Sequence, residues 1–155
     1  MIGAKWRLNA INGMNIDYIH INQVKVYELL IKSSDFFFPP LSEEVDLEKY
    51  SCKLSEYADF ILYREKGSPI GYIAYYKNYQ AKQIYIPLIC VHPKYQQSGI
   101  GTKMLRSLEN TFKDEYSTIG LEVVKRNRKA YNFYIKQGFS VKEDRGIRTL
   151  MVKNI

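Results

Sequence analysis

Ile84-Tyr85-Ile86-Pro87-Leu88-Ile89-Cys90-Val91-His92-Pro93-Lys94-Tyr95-Gln96-Gln97-Ser98-Gly99-Ile100-Gly101-Thr102-Lys103-Met104-Leu105-Arg106-Ser107-Leu108-Glu109 is the stretch whose reading decides the fold. Ile84 to Val91 reads as a strand rich in β-branched and aromatic residues. His92 to Ser98 is a short connector, and an amphipathic helix opens at Gly99 with Met104, Leu105, Leu108 and Phe112 on its apolar face. The glycines of Gln96-Gln97-Ser98-Gly99-Ile100-Gly101 turn the backbone without a Cβ penalty. The helix they introduce starts with N–H groups that lack intrahelical acceptors and with about half a positive charge. A strand feeding such a turn is an anion cradle, most naturally for phosphate or pyrophosphate.

The spacing excludes two common phosphate loops. A Gly-x-x-x-x-Gly-Lys-Ser/Thr loop needs a glycine five residues before Gly101, where Gln96 stands, and Lys directly after Gly101, where Thr102 stands. A three-glycine dinucleotide turn needs a third glycine where Met104 stands. What remains is Gln/Arg-x-x-Gly-x-Gly/Ala after Val91-His92-Pro93. A second cluster lies downstream: Leu121-Glu122-Val123, then Asn127, Ala130, Phe133-Tyr134, Lys136 and Gly138-Phe139. Together the two resemble the paired signatures of the GCN5-related N-acetyltransferase (GNAT) superfamily, in the family's order and spacing. They cover about residues 84–140, over a third of the chain.

Composition bounds the alternatives. A chain of 155 residues fits one compact domain, with 46% hydrophobic and 25% charged residues. No run approaches the roughly 18–20 apolar residues of a membrane span, and no apolar region follows Lys5 and Arg7. Two cysteines, Cys52 and Cys90, point to reduced thiols and a cytoplasmic location. With His20 and His92 the only histidines, no metal site is expected. The net charge of +7 raises nucleic-acid binding. The densest basic group, Lys125-Arg126-Asn127-Arg128-Lys129, however, falls inside the second cluster, where a phosphate-rich ligand would equally call for it.

Residues 1–13 show no clear period and read as a leader ahead of one domain over 14–155. Ile16 to Ile21 reads as a strand, and Asn22 as the cap of a helix from Gln23 that Phe36-Phe37-Phe38-Pro39-Pro40 stops. A second helix is expected from Ser42 to about Ser55. Strands at 58–65 and 70–77 flank Gly67-Ser68-Pro69, a hairpin signal. After the central helix come a strand at 118–124, a helix at 127–137 capped by Gly138, and a strand pair at 139–142 and 149–153. The order β-α-α-β-β-β-α-β-α-β-β is an α/β (α+β) arrangement. It matches the GNAT plan, a mixed, largely antiparallel sheet with helices on both faces, opened at two central parallel strands.

The resemblance implies a function and its residues. Acetyl-coenzyme A would lay its pyrophosphate on the backbone of Gln97, Ser98, Gly99, Ile100, Gly101 and Thr102, with Gln96 in the place of the commoner Arg. Its pantetheine arm would pair with Ile89, Cys90 and Val91, and Asn127 and Ala130 would hold it from the other signature. Tyr134 would be the general acid for the leaving sulfur. Glu122, 12 positions before Tyr134, matches the catalytic glutamate of the ribosomal-protein N-terminal acetyltransferase branch and would be the base, directly or through ordered water. The acceptor would be a primary amine on a small molecule, a protein N-terminus or a lysine. Phe36 to Phe38 and the acidic run Glu43, Glu44, Asp46 and Glu48 are candidates for its wall. Monomer and homodimer both stay open. Two other readings compete: a silent acetyl-coenzyme A sensor with the same loop, and a nucleic-acid-binding domain whose affinity falls steeply with salt. A covalent relay through Cys90 has no histidine partner beyond the adjacent His92.

Overall fold

The computed structural model describes residues 6–7 and 16–155. Its elements are β1 (Trp6–Arg7), β2 (Ile16–Ile19), α1 (Gln23–Ser33), α2 (Leu41–Glu44), α3 (Leu47–Tyr57), β3 (Asp59–Glu65), β4 (Ser68–Asn78), β5 (Gln83–Val91), α4 (Ile100–Phe112), β6 (Thr118–Val124), α5 (Arg128–Lys136), β7 (Ser140–Arg145) and β8 (Arg148–Asn154). The strands take the order β1-β2-β3-β4-β5-β6-β8-β7. β5 and β6 are parallel, while β1–β2, β2–β3, β3–β4, β6–β8 and β7–β8 are antiparallel. The expected mixed, mostly antiparallel sheet and its helices are therefore present.

Two compact units divide the chain. In the first, which holds the residues up to Tyr75 and Leu88–Leu105, the Asn22 side chain caps α1 by accepting from the Lys25 amide at 3.0 Å. Val26 and Leu30 are fully buried. α1 packs along α3, and Gln23 donates to the Ser51 hydroxyl at 2.9 Å. Phe60, Ile61 and Ile73 of β3 and β4 are sealed from solvent. Burying each such side chain contributes about 1.5–3 kcal/mol. In the second unit, Tyr76–Pro87 with Arg106–Ile155, Ile84, Leu108, Ile119, Leu121 and Met151 are buried to the same degree. Parallel pairing runs from Gln83–Thr118 to Ile86–Leu121, and the next residue of β5, Pro87, has no N–H to continue it.

Several boundaries differ from expectation. The helix expected from Ser42 is two, because Val45 is extended (φ −142°, ψ 156°) and the Asp46 carboxylate caps a fresh start by accepting from Lys49 at 3.1 Å. α1 ends at Ser33, ahead of the stretch 36–40 expected to stop it. The β3–β4 turn falls on Lys66 and Gly67, both at positive φ, so Ser68 and Pro69 already belong to β4. β7 continues to Arg145, three residues past its expected end. Of the proposed leader, Trp6 and Arg7 pair with Tyr18 and Asp17 of β2. Its other residues lie outside those described.

Candidate active site

Below β5 the chain folds into a compact loop within the first unit. The His92 amide donates to the Ile70 carbonyl at 2.7 Å, and its ring Nδ1 accepts from the Lys94 amide at 3.1 Å. The same ring meets Phe36 edge-on at 4.9 Å and Tyr95 at 5.9 Å. Gln96 turns back and donates from Nε2 to the Val91 carbonyl at 3.0 Å, bracing the loop against the strand it leaves. The Ser98 hydroxyl donates to the Tyr95 carbonyl.

Two residues then take positive φ, Gln97 at 62° and Gly99 at 85°. α4 begins at Ile100, one residue later than expected, with the Gly99 carbonyl accepting from Lys103 at 3.0 Å. A Cβ built on Gly99 would meet nothing within 4 Å. The glycine is therefore required by its backbone angle, and the space in front of it is open. Gln97, Ser98 and Gly99 are exposed while Ile100 is buried. The result is an exposed, rigidly held turn leading into the positive end of a helix with an apolar root, which suits a bulky anion.

Ile89, Cys90 and Val91 form the end of β5 ahead of this loop. The Cys90 thiol is buried, and burial pushes its pKa up to about 12. Beside it the Tyr72 hydroxyl, itself raised by burial, meets the Ser33 hydroxyl at 2.7 Å. Such a thiol is almost wholly protonated at neutral pH and is no nucleophile. A covalent relay through Cys90 has no physical basis here.

The second unit carries the downstream cluster. Asn127 caps α5 as its sequence position predicts: its amide donates to the Val124 carbonyl at 2.9 Å, and its Oδ1 accepts from the Ala130 amide at 3.2 Å. That bond occupies the Ala130 N–H and leaves the Asn127 side-chain NH₂ as a donor group. Tyr134 is buried, edge-on to Phe133 at 5.2 Å and to Phe139 at 5.6 Å. Its carbonyl accepts from the Phe139 amide at 3.0 Å as the helix closes at Gly138. The ring is thus held edge-on by Phe133 and Phe139.

Glu122 is three-quarters buried and holds an ion pair, Oε1 to Arg145 Nη1 at 2.7 Å. Arg145 also reaches Glu143 through Nη2 at 3.2 Å. Glu122 and Glu143 both register on Leu150 of β8, from opposite sides, so Arg145 spans β8 to join them. Tyr85 registers on Gly120, and its ring lies 3.6 Å from where a Cβ on that glycine would stand. Its hydroxyl is raised chiefly by burial and then by Glu122, and lowered by Arg145 and Arg148. The Tyr76 hydroxyl is buried with no partner among the described residues. Arg145, Tyr85 and Tyr76 were not singled out from the sequence. Arg145 lies 23 residues from Glu122, in a hairpin that reads as ordinary charged turn chemistry. Strand register brings Glu122, Glu143 and Arg145 together.

Among the described residues no group of three or more His, Cys, Asp or Glu side chains is placed to hold a metal ion, and no helix is long and apolar enough to cross a membrane.

Comparison with known proteins agrees with this architecture. The family profile described as acetyltransferase (GNAT) family matches residues 24–139. A protein of Pyrococcus horikoshii shares 24% identity at a TM-score of 0.77, covering 92% of this chain and 98% of that one. The PaiA N-acetyltransferase of Thermoplasma acidophilum, solved in complex with coenzyme A, shares 19% at 0.73, covering 92% and 100%. The ribosomal-protein-S18-alanine N-acetyltransferase of Escherichia coli shares 17% at 0.71, covering 92% and 94%. No curated protein matches the chain.

Proposed function

The chain belongs to the GNAT acetyltransferase family, and from that premise we propose that it transfers an acetyl group from acetyl-coenzyme A directly to a primary amine. The observation that carries the cosubstrate is the exposed turn at Gln97–Gly99, with φ of 62° and 85° and open space before it, at the start of α4. Backbone N–H groups from Gln97 to Thr102 hold the pyrophosphate. Gln96 contributes by bracing the loop rather than by charge, since its Nε2 is bonded to Val91. Backbone at Ile89, Cys90 and Val91 aligns the pantetheine arm, and Asn127 steadies it with its NH₂ group. Acetyl-coenzyme A, when bound, supplies the activated thioester.

The acceptor presents the other problem. An alkylammonium has a pKa near 10.4, so few molecules are nucleophilic at neutral pH without a base. Glu122, directly or through ordered water, takes that proton, and Tyr134 holds the proton destined for the departing sulfur. Such acid–base help typically contributes about 10²–10⁴-fold. The two unpaired thiols, Cys52 exposed and Cys90 buried, support placing this reaction in the cytoplasm. The test is thermal unfolding with acetyl-coenzyme A, coenzyme A, ATP or NAD, followed by thiol release with a panel of amino sugars, polyamines, amino acids and peptides. A ligand at 100 times its dissociation constant stabilises by about 2.7 kcal/mol. A shift with the two coenzyme A species alone, abolished in Gly99→Glu, is expected. Indifference to both would overturn the cosubstrate, and binding without thiol release from any amine would leave a sensor.

A further inference from the structure

His92 takes no part in the chemistry proposed above, yet several contacts of the cofactor loop converge on it. Its amide donates to the Ile70 carbonyl at 2.7 Å, and its carbonyl accepts from the Tyr95 amide at 2.8 Å. Its side chain caps the short turn Pro93–Tyr95, with Nδ1 accepting from the Lys94 amide at 3.1 Å. Such caps ordinarily fall to Asn, Asp, Ser or Thr, whose oxygens accept throughout the physiological pH range. An imidazole accepts only while neutral, here with its proton on Nε2, because both ring nitrogens of the charged form are donors. The ring is also held in place, edge-on to Phe36 at 4.9 Å and to Tyr95 at 5.9 Å. Beyond the turn, Ser98 donates to the Tyr95 carbonyl, and Gln97 and Gly99 take positive φ. The cap is thus one brace away from the amides proposed to hold the pyrophosphate.

We propose that His92 is a positioning residue of the cofactor loop that holds the loop only while its imidazole is neutral, so that cosubstrate affinity falls when His92 takes up a proton. On protonation, Nδ1–H meets the Lys94 N–H head on, two donors with no acceptor between them. Either the ring leaves its place between Phe36 and Tyr95 or the turn opens. The Lys94 amide is exposed, so water takes it up, and what is lost is the order of the loop rather than a buried bond. Of the charged groups around the ring, Lys94 follows on the same turn and repels an imidazolium. Glu65, at the end of β3, is engaged by the Tyr95 hydroxyl, and Asp35 precedes Phe36 on the turn Ser34–Phe36. Histidine changes charge between about pH 5 and 8. Affinity is therefore full at the alkaline end of that window and falls toward the acid end. Both the role and its pH dependence rest on the loop being the cosubstrate site.

Calorimetric dissociation constants for acetyl-coenzyme A across that window, from about pH 8 down to about pH 5.5, test the role. The ligand's own phosphate monoester titrates in the same range. Each protein is therefore compared with His92→Asn, whose amide oxygen replaces Nδ1 as a cap that does not titrate. Wild type and His92→Asn are expected to bind alike at the alkaline end and to differ roughly fivefold at the acid end, the wild type being weaker. His92→Leu, with no acceptor, is expected to be weaker than His92→Asn by about that factor throughout. His20 is the only other histidine, so the His92 ring resonances are assigned by their loss in His92→Asn. Their titration midpoint falls when coenzyme A is added. Parallel pH profiles in wild type and His92→Asn overturn the role. So does a wild type that binds more tightly in acid, or a midpoint that rises with coenzyme A, since the imidazolium then acts as a charge for the pyrophosphate. A wild type that binds neither acetyl-coenzyme A nor coenzyme A at the alkaline end brings down the cosubstrate reading, and the role of His92 with it.

Discussion

Tyr134 and Cys90 illustrate how a residue's surroundings decide its chemistry. Tyr134 is one of 14 tyrosines, and its ring is clamped edge-on between Phe133 and Phe139. Tyr134→Phe keeps every ring contact and removes one hydroxyl. Turnover should therefore fall by about 10²-fold or more, while the acetyl-coenzyme A dissociation constant from calorimetry stays near that of the wild type. Cys90 shows the reverse case, a reactive group made inert. With its thiol pushed up to about 12 and sealed in the core, it should resist iodoacetamide in the native protein. Cys52 is exposed, so mass spectrometry should find one alkylated cysteine per folded chain and two after denaturation. Asn127 and Gly99 were legible in the sequence because their roles are local, a cap and a turn. Arg145 and Tyr85 were not, because nothing local marks a side chain whose neighbour lies on another strand.

At the scale of elements, caps and breaks account for most of the agreement and most of the disagreement. Asn22 and Asn127 sit where an amide oxygen reaches the N–H three residues on, and both helices start there. Asn127→Ala should cost about 1 kcal/mol, lowering the melting temperature by roughly 2–4 °C for a chain of this size. The KM for acetyl-coenzyme A should rise with it, since the same side chain is proposed to hold the pantetheine arm. The second predicted helix failed at Val45 because two start signals compete over a few residues and Asp46 provides the stronger cap. The hairpin at Lys66-Gly67 slipped by one residue for a comparable reason. Pro69 drew the turn toward itself in the sequence reading, whereas Lys66 and Gly67 adopt the left-handed backbone that a two-residue turn needs.

For the molecule as a whole, buried titratable groups set a limit on stability at high pH. Cys90 and Tyr72 both have raised values in the folded state, chiefly through burial. In the unfolded chain they ionise near their ordinary values of about 8.5 and 10. Above those values the unfolded state loses protons that the folded state keeps, so stability falls as pH rises. Urea midpoints should be level near neutrality and fall between about pH 8 and 11. In Cys90→Ala the first part of that fall should disappear, and a profile identical to the wild type would contradict the assignment. The sequence by itself determined the family, the order of the main strands and helices, the glycine turn before α4 and the cap at Asn127. These depend on interactions within a few residues, and alternation, capping and turn chemistry encode them along the chain. Only the tertiary structure decided that Glu122 is held by Arg145, that Gln96 braces the loop, that Cys90 is buried and that the Tyr76 hydroxyl is buried with no partner among the described residues. Those facts depend on register between strands and on burial, which arise when distant segments pack together.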